Sequence, residues 1–407
     1  MDNNRIFYQD NYDDDPNNEI GLDSINSQKE GTYSSSANGV FTGSLLESFF
    51  TNNDVSGVPS PAFVIGEKPG DIVEGKGVVP VEPGPGPGPG PEPGPDLPPN
   101  NEIWYTSSTG EAIDFAGGGG SGSGSGNGDG DNTGENVPYE SNEYVDGKGI
   151  LTFSEELTEV PNIFGECETL TSVVLPSSIT NIREKSFYAC MALESVTLPD
   201  SVTSIENESF YSCTSLVSIT IPDNVTVIGE KAFSNCSHLE SIIIPDGVLE
   251  VRPETFAYCT SLKSVTIPNS VTHIASGVFY QCTALTSIAL PNGVGVIGSH
   301  AFYYCANLSS ATIGSNVENI YGMAFYACSA LTSIVIPDTI TNIGDEVFRG
   351  CGGLTSLKCL ATVPPTIGSN VLHSTNDCPI YVPAESVDTY KAAQGWSAYA
   401  DRIKPIE

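Results

Sequence analysis

From residue 150 onward the hydrophobic positions recur every 23 residues. Phenylalanine stands at 164, 187, 210, 233, 256, 279, 302, 325 and 348. A cysteine follows each after three residues, Cys167 through Cys351, and a leucine three further on, Leu170 through Leu354. In the unit Leu331 to Gly353, the residues Leu331, Ile334 and Ile336 have the spacing of a short strand. Pro337 and Asp338 turn the chain out of that strand, because proline has no N–H to give the ladder. Ile340 and Ile343 point back inward, Gly344 is expected to allow a tight bend, and Val347, Phe348 and Cys351 close the coil. One repeat is therefore one turn of a solenoid.

A single 23-residue unit buries too little apolar surface to offset the entropy of ordering it, so the units must stack. Both ends of the stack then need covers. At the front, Gly149 to Phe164 is expected to be a partial unit. At the back, Ile380, Val382 and Pro383 repeat the strand-then-proline pattern, and Ala384 to Trp396 reads as a short amphipathic helix. Within the array a serine follows the first leucine of each unit by two, Ser172 through Ser356, and a ladder of serine hydroxyls bonded to one another is expected. The outward strand positions, Val174, Thr197, Thr220, Ile243, Thr266, Ala289, Thr312, Val335 and Lys358, form a nearly uncharged strip.

The chain before residue 150 lacks this pattern. Residues 1–81 are expected to be an acidic, mostly disordered region, with one apolar island at 39–50 (Leu45, Leu46, Phe49, Phe50) that suits a docking segment. Residues 82–100 are a proline and glycine spacer. Glycine recurs there every second residue, which rules out collagen and favours extended polyproline II. Residues 101–149 hold a strand-like segment, "NEIWYTSSTG", and a Gly/Ser-rich insertion. Asn127, Asp129 and Asp131 alternate like calcium-loop ligands, yet Asn132 and Pro138 stand where glycine and glutamate are needed. The solenoid spans 150–383, and 384–407 is a helical cap.

Charge sharpens this division. Of the 50 acidic residues 25 lie before Lys148, with 4 of the 15 basic ones, inside a formal net charge of −35. So acidic a surface repels phosphate backbones and anionic lipid, so no nucleic acid and no membrane surface is expected as partner. No apolar run reaches the roughly 18 to 20 residues that span a bilayer, so no membrane insertion is expected. The start has neither a basic n-region nor an apolar core, so no secretory signal peptide is read there. A lipoprotein cysteine is not visible either, since the first cysteine is Cys167.

Chemistry is sparse. The 11 cysteines show no C-x2-C spacing, and nine of them keep a strict 23-residue register, so buried free thiols are expected rather than zinc ligands or disulfides. Cys359 takes an inward strand position, and Cys378 falls beside Thr355. His238, His273, His300 and His373 stand at unrelated places in the repeat, so no catalytic residues, metal or cofactor are proposed. The partner-binding candidates are tyrosines just after the repeat phenylalanine: Tyr188, Tyr211, Tyr280, Tyr303 and Tyr326, joined by Tyr258 and Tyr304 one place on. Tyrosine offers apolar area with a hydroxyl, which suits protein or sugar partners, but it is also a default residue at half-buried repeat positions.

The unit "LxxIxIPxxVxxIGxxAFxxCxxL" resembles the leucine-rich repeat of BspA-like bacterial surface proteins over residues 150–383, and both flanks are similar to segments bordering such arrays. The resemblance implies an α/β-type repeat solenoid, a leucine-rich repeat array of short parallel strands with an irregular convex side. It also implies an extracellular or cell-surface adhesion protein, not an enzyme, that binds protein or glycan on a host or neighbouring cell. Two other readings stay open: a virion surface or appendage protein, for which the missing signal peptide and the proline stalk speak, and an intracellular interaction scaffold. Oligomeric state is not legible.

Overall fold

The computed structural model describes residues 97–115 and 139–407, all within one compact unit, Pro87–Glu407. The acidic region, the docking segment at 39–50, most of the proline spacer and the Asn127, Asp129, Asp131 run lie outside the described residues.

Nine coils keyed by the repeat phenylalanines, and a tenth with Leu372 in the phenylalanine position, stack into a parallel solenoid. On one face short strands pair in 23-residue register, Ser172 with Ser195, Ser241 with Ser264, and Ser287 with Ser310. On another, two-residue strands from Asn181–Ile182 to Thr366–Ile367 form a second parallel ladder. Between these faces the carbonyl of the repeat proline accepts a turn-closing bond, as from Val202 N–H to Pro199 O at 3.1 Å. Helix is confined to the C-terminal cap among the described residues.

The third side of each coil is irregular and follows one rule. From the Phe187 coil onward the residues two before and two after the phenylalanine are left-handed, as in Lys185 (φ 59°), Ala189 (φ 53°), Glu346 (φ 56°) and Gly350 (φ 77°); the Phe164 coil keeps only the second, Glu166 (φ 62°). Most are not glycine, so each coil carries a conformational cost. Hydrogen bonds across coils hold it in place: Lys185, Phe187 and Ala189 donate N–H to the carbonyls of Asn207, Ser209 and Tyr211 at 3.1, 2.8 and 2.7 Å.

Inside, the phenylalanines stack ring on ring, with centroids between 5.0 Å (Phe302–Phe325) and 5.8 Å (Phe256–Phe279) apart. The cysteines beside them are free. Their thiols donate to the phenylalanine carbonyl of the preceding coil, from Cys190 to Phe164 at 2.9 Å through Cys351 to Phe325 at 3.1 Å. Burial pushes the Cys190, Cys259, Cys305 and Cys351 thiols up to about 12. Those protons therefore stay in place, and the sulfurs stay donors.

Two expectations about the repeat fail. The serine hydroxyls do not form a ladder: Ser195 through Ser333 point into solvent, and Ser172 bonds instead to Thr106 at 2.6 Å. Hydroxyl rungs run through threonines at the turns, as from Thr203 to Thr180 O at 3.2 Å and Thr260 to Ser237 O at 3.3 Å. Gly344 does not make a bend. A Cβ there would stand 2.5 Å from the Gly322 nitrogen, so this glycine lets neighbouring coils approach.

The front cover is a β-sheet. Strand β1 (Glu102–Ser107) lies antiparallel between β3 (Lys148–Phe153) and β4 (Leu170–Val174), the first solenoid strand, and β2 (Tyr139–Val145) pairs with β3. Residues 149–153 are thus not a parallel coil strand. Asp146 and Gly147, both left-handed at φ 51° and 82°, make a two-residue hairpin turn that sends β3 back along β2. Phe115 then sits edge-on to Phe164 at 5.2 Å and closes the phenylalanine stack.

At the far end α1 (Val387–Ala392) and a 3-10 turn over Trp396–Arg402 bury Tyr390 and Trp396, edge to face at 4.9 Å. The Trp396 indole N–H donates to Pro365 O at 2.8 Å. A last parallel strand, Ile403–Pro405, ends the sheet with an exposed lysine and a proline, residues that discourage further strand addition.

Pairing is not continuous: the strand face is divided at 218–220 and between Ser264–Thr266 and Ser287–Ala289, and the second ladder has one seam. Leu249 and Arg252 do not make the bonds to the preceding coil that Thr226, Gly229, Thr272 and Ala275 make, and no pairing joins Val227–Ile228 to Glu250–Val251. Where four other coils have glycine, this one has Arg252, and Pro253 behind it restricts Arg252 to extended backbone. A cleft of about 400 Å³ opens there, lined by Thr226, Ile228, Leu249, Glu250 and Arg252.

Candidate interaction surface

The tyrosines follow the phenylalanine by one, so each side chain leaves the irregular side while its neighbour enters the core. Their backbone is fixed twice. The Tyr303 N–H donates to His300 O at 3.0 Å, and the Tyr303 carbonyl accepts from Gln281 N–H at 2.7 Å. Aromatic rings held this way form a rigid surface at little entropic cost on binding.

The seven sequence candidates fall into two groups. Tyr188 and Tyr211 stack at 5.1 Å, 8° from parallel. Tyr280, Tyr303 and Tyr326 form a second stack with centroids 4.8 Å apart at each step. Tyr258 and Tyr304, one place on, tilt against it: Tyr258 to Tyr280 at 5.2 Å and 55°, Tyr304 to Tyr303 at 4.9 Å and 54°. Ser234 and Ala257, both buried, stand at the tyrosine position in the two coils between the groups and break the column. The tyrosines of the two columns are half-buried at the first position and exposed at the second, 38 % for Tyr258 and 45 % for Tyr304.

Arg349 ends the larger stack. Its guanidinium carbon lies 5.8 Å from the Tyr326 ring centre, and it pairs with Glu346. His300 lies 5.2 Å from Tyr303. Arg349 occupies a tyrosine position of the repeat, whereas His300 lies outside the stripe. Burial, reinforced by the Tyr280, Tyr326 and Tyr304 hydroxyls and by Glu346, holds the Tyr303 phenol up at about 12. Burial likewise raises Tyr188, Tyr258 and Tyr280. These hydroxyls stay neutral and able to donate and accept.

The strand face offers less. Ile243 and Val335 are its exposed apolar points, at 69 % and 47 %, with no aromatic beside them. The histidines are scattered: His238 bonds Thr214 O, His273 its neighbour Thr272, and His373 its neighbour Ser374. Among the described residues no three His, Cys, Asp or Glu side chains gather as a metal site requires, and no helix is long and apolar enough to cross a membrane.

The repeats match the family described as BspA type leucine rich repeat region, in six copies over residues 150–263 and 249–378. No curated protein matches the chain. Among solved structures the chain is similar to a leucine-rich repeat protein from Bacteroides ovatus, at 22 % identity over 65 % of this chain and 90 % of that one, TM-score 0.41. It is also similar to a leucine rich cell surface protein from Faecalibacterium prausnitzii, at 26 % identity over 62 % and 83 %, TM-score 0.40. A leucine rich repeat protein of T. pallidum is 28 % identical over 49 % and 73 %, TM-score 0.32. With its 23-residue coils, phenylalanine stack and matched repeats covering more than half its length, the chain belongs to the BspA-type leucine-rich repeat family.

Proposed function

We propose that the solenoid is a non-enzymatic adhesion module, carried on the proline-rich stalk and presented at a bacterial cell surface, where it binds protein or glycan of a host or neighbouring cell. The observation that carries this reading is the tyrosine surface: rings fixed at 4.8 Å steps on a hydrogen-bonded backbone, and exposed at Tyr258 and Tyr304. The stack stands outside the core, which the phenylalanines fill, and its rings are half-buried. Tyr188, Tyr211, Tyr258, Tyr280, Tyr303, Tyr304 and Tyr326 are the proposed contact residues. The family membership supports a recognition role, because solenoids of this class present broad surfaces rather than catalytic clefts.

The test is an array of matrix proteins and glycans probed with the full chain and with a variant carrying Tyr280→Ser, Tyr303→Ser and Tyr326→Ser. Binding by the parent and its loss in the variant is the expected result. An interaction that survives the triple substitution unchanged places the contact elsewhere.

A further inference from the structure

Tyr258 and Tyr304 are unusual within their own repeat. The position two after the phenylalanine is left-handed in every coil, and elsewhere holds glutamate, alanine, serine, asparagine, glutamine or glycine. A tyrosine there, at φ 60° in Tyr258 and 56° in Tyr304, keeps the conformational cost while 38 % and 45 % of its surface stays in solvent. Strained, exposed aromatics that contribute little to the core are candidates for function.

Their placement is regular. Gln281 fills the same position in the coil between them, so Tyr258, Gln281 and Tyr304 form a straight row beside the Tyr280–Tyr303–Tyr326 stack. Rings of the stack cover one another's faces and offer mainly edges and hydroxyls. The two tilted rings expose area of their own, and two coils separate them by about 10 Å along the solenoid axis. Gln281, half-buried, holds the middle place of the row beside Tyr280. Glu254, which pairs with Lys231 at 3.8 Å, lies beside Tyr258 and Tyr280 and places an acceptor at this end of the row.

We infer that the row Tyr258, Gln281, Tyr304 is a subsite for an extended, neutral oligosaccharide. Its two tyrosines stack the apolar faces of alternate sugar residues, and its amide bonds the hydroxyls between them. A ligand that repeats along its length suits a surface that repeats along its own. The row alternates aromatic ring, amide and aromatic ring at even steps, the order in which a sugar chain presents an apolar face, hydroxyls and an apolar face. This inference rests on the adhesion reading above and narrows its partner to a glycan.

The test uses the full chain and isothermal titration with hexasaccharides of β-1,4-linked glucose and of β-1,4-linked N-acetylglucosamine, and with the corresponding disaccharides. At least one hexasaccharide binds, and its disaccharide binds on the order of tenfold more weakly because it reaches one platform only. Tyr258→Gly and Tyr304→Gly each weaken the hexasaccharide by about tenfold, while Tyr258→Phe and Tyr304→Phe keep most of the affinity. Glycine suits a left-handed residue, so these variants keep their melting temperature and the loss is not unfolding. Absence of binding to both hexasaccharides, equal affinity for disaccharide and hexasaccharide, or glycine variants that bind like the parent overturns the inference. If the glycine variants also hold a matrix protein that the Tyr280, Tyr303, Tyr326 variant releases, adhesion stands and the glycan subsite falls.

Discussion

The Cys213 thiol donates a hydrogen bond to the Phe187 carbonyl of the preceding coil at 3.1 Å, and the same carbonyl accepts the Cys190 N–H at 3.2 Å. Cysteine is thus more than a small apolar filler at this position. It is a donor small enough to sit between stacked coils. Replacing Cys213 by alanine leaves the carbonyl one partner, removes the sulfur contact and opens a small void, at a cost of about 1 to 2 kcal/mol. Urea unfolding of Cys213→Ala measures this. A midpoint equal to that of the parent would show that the thiol bond adds nothing.

Alkali should unfold the solenoid steeply. Unfolded thiols ionise near 8.5, whereas burial holds Cys190, Cys259, Cys305 and Cys351 at about 12 and raises Cys213, Cys236, Cys282 and Cys328 well above the usual range. Below pH 8.5 both states hold their protons and the stability is fully present. Above it the unfolded state holds fewer protons, so stability falls as pH rises, by up to about 1.4 kcal/mol per thiol per pH unit. Circular dichroism followed through rising pH is expected to show cooperative loss of structure between about pH 9 and 10.5. A chain still folded at pH 11 contradicts the thiol burial described above.

Amide exchange is expected to find the seam. Leu249 and Arg252 lack the bonds to the previous coil that Thr272 and Ala275 make to Leu249 O and Val251 O at 2.8 and 3.0 Å. Their N–H groups therefore open without breaking the ladder and exchange faster than those of Thr226, Gly229, Thr272 and Ala275. Hydrogen exchange read by mass spectrometry on peptides covering 245–253 and 268–276 makes the comparison. Equal protection in the two peptides would mean that the seam is closed in solution.

Periodicity alone revealed which side chains face inward. Phe348, Cys351 and Leu354 recur too regularly for any other reading, and all three are fully buried. It did not reveal what the backbone does between coils. A spacing of 23 is the same whether Ser333 or Thr332 carries the hydroxyl rung, and whether Gly344 bends the chain or admits a neighbour. The seam was hidden in one coil's Arg252 and Pro253, which leave the inward residues Val251 and Phe256 in register. The front hairpin did carry a sign, Asp146-Gly147, but the repeat pattern around Gly149 to Phe164 masked it. Of the candidate surface, the tyrosine positions and the Arg349 that replaces one of them were visible, while the stacking and the tilt of Tyr258 and Tyr304 against it depend on distances that no spacing records.

Phe115 closes the aromatic stack at one end and Leu372 ends it at the other, so the phenylalanine rungs between them repeat one geometry. The array can thus gain or lose a coil in a single recombination event, provided the change is a whole repeat, and both covers still fit. The one 24-residue step, from Phe348 to Leu372, comes where only the C-terminal cover must absorb it. Length thereby becomes a heritable setting: the gene can vary how far the binding surface extends without having to solve the fold again.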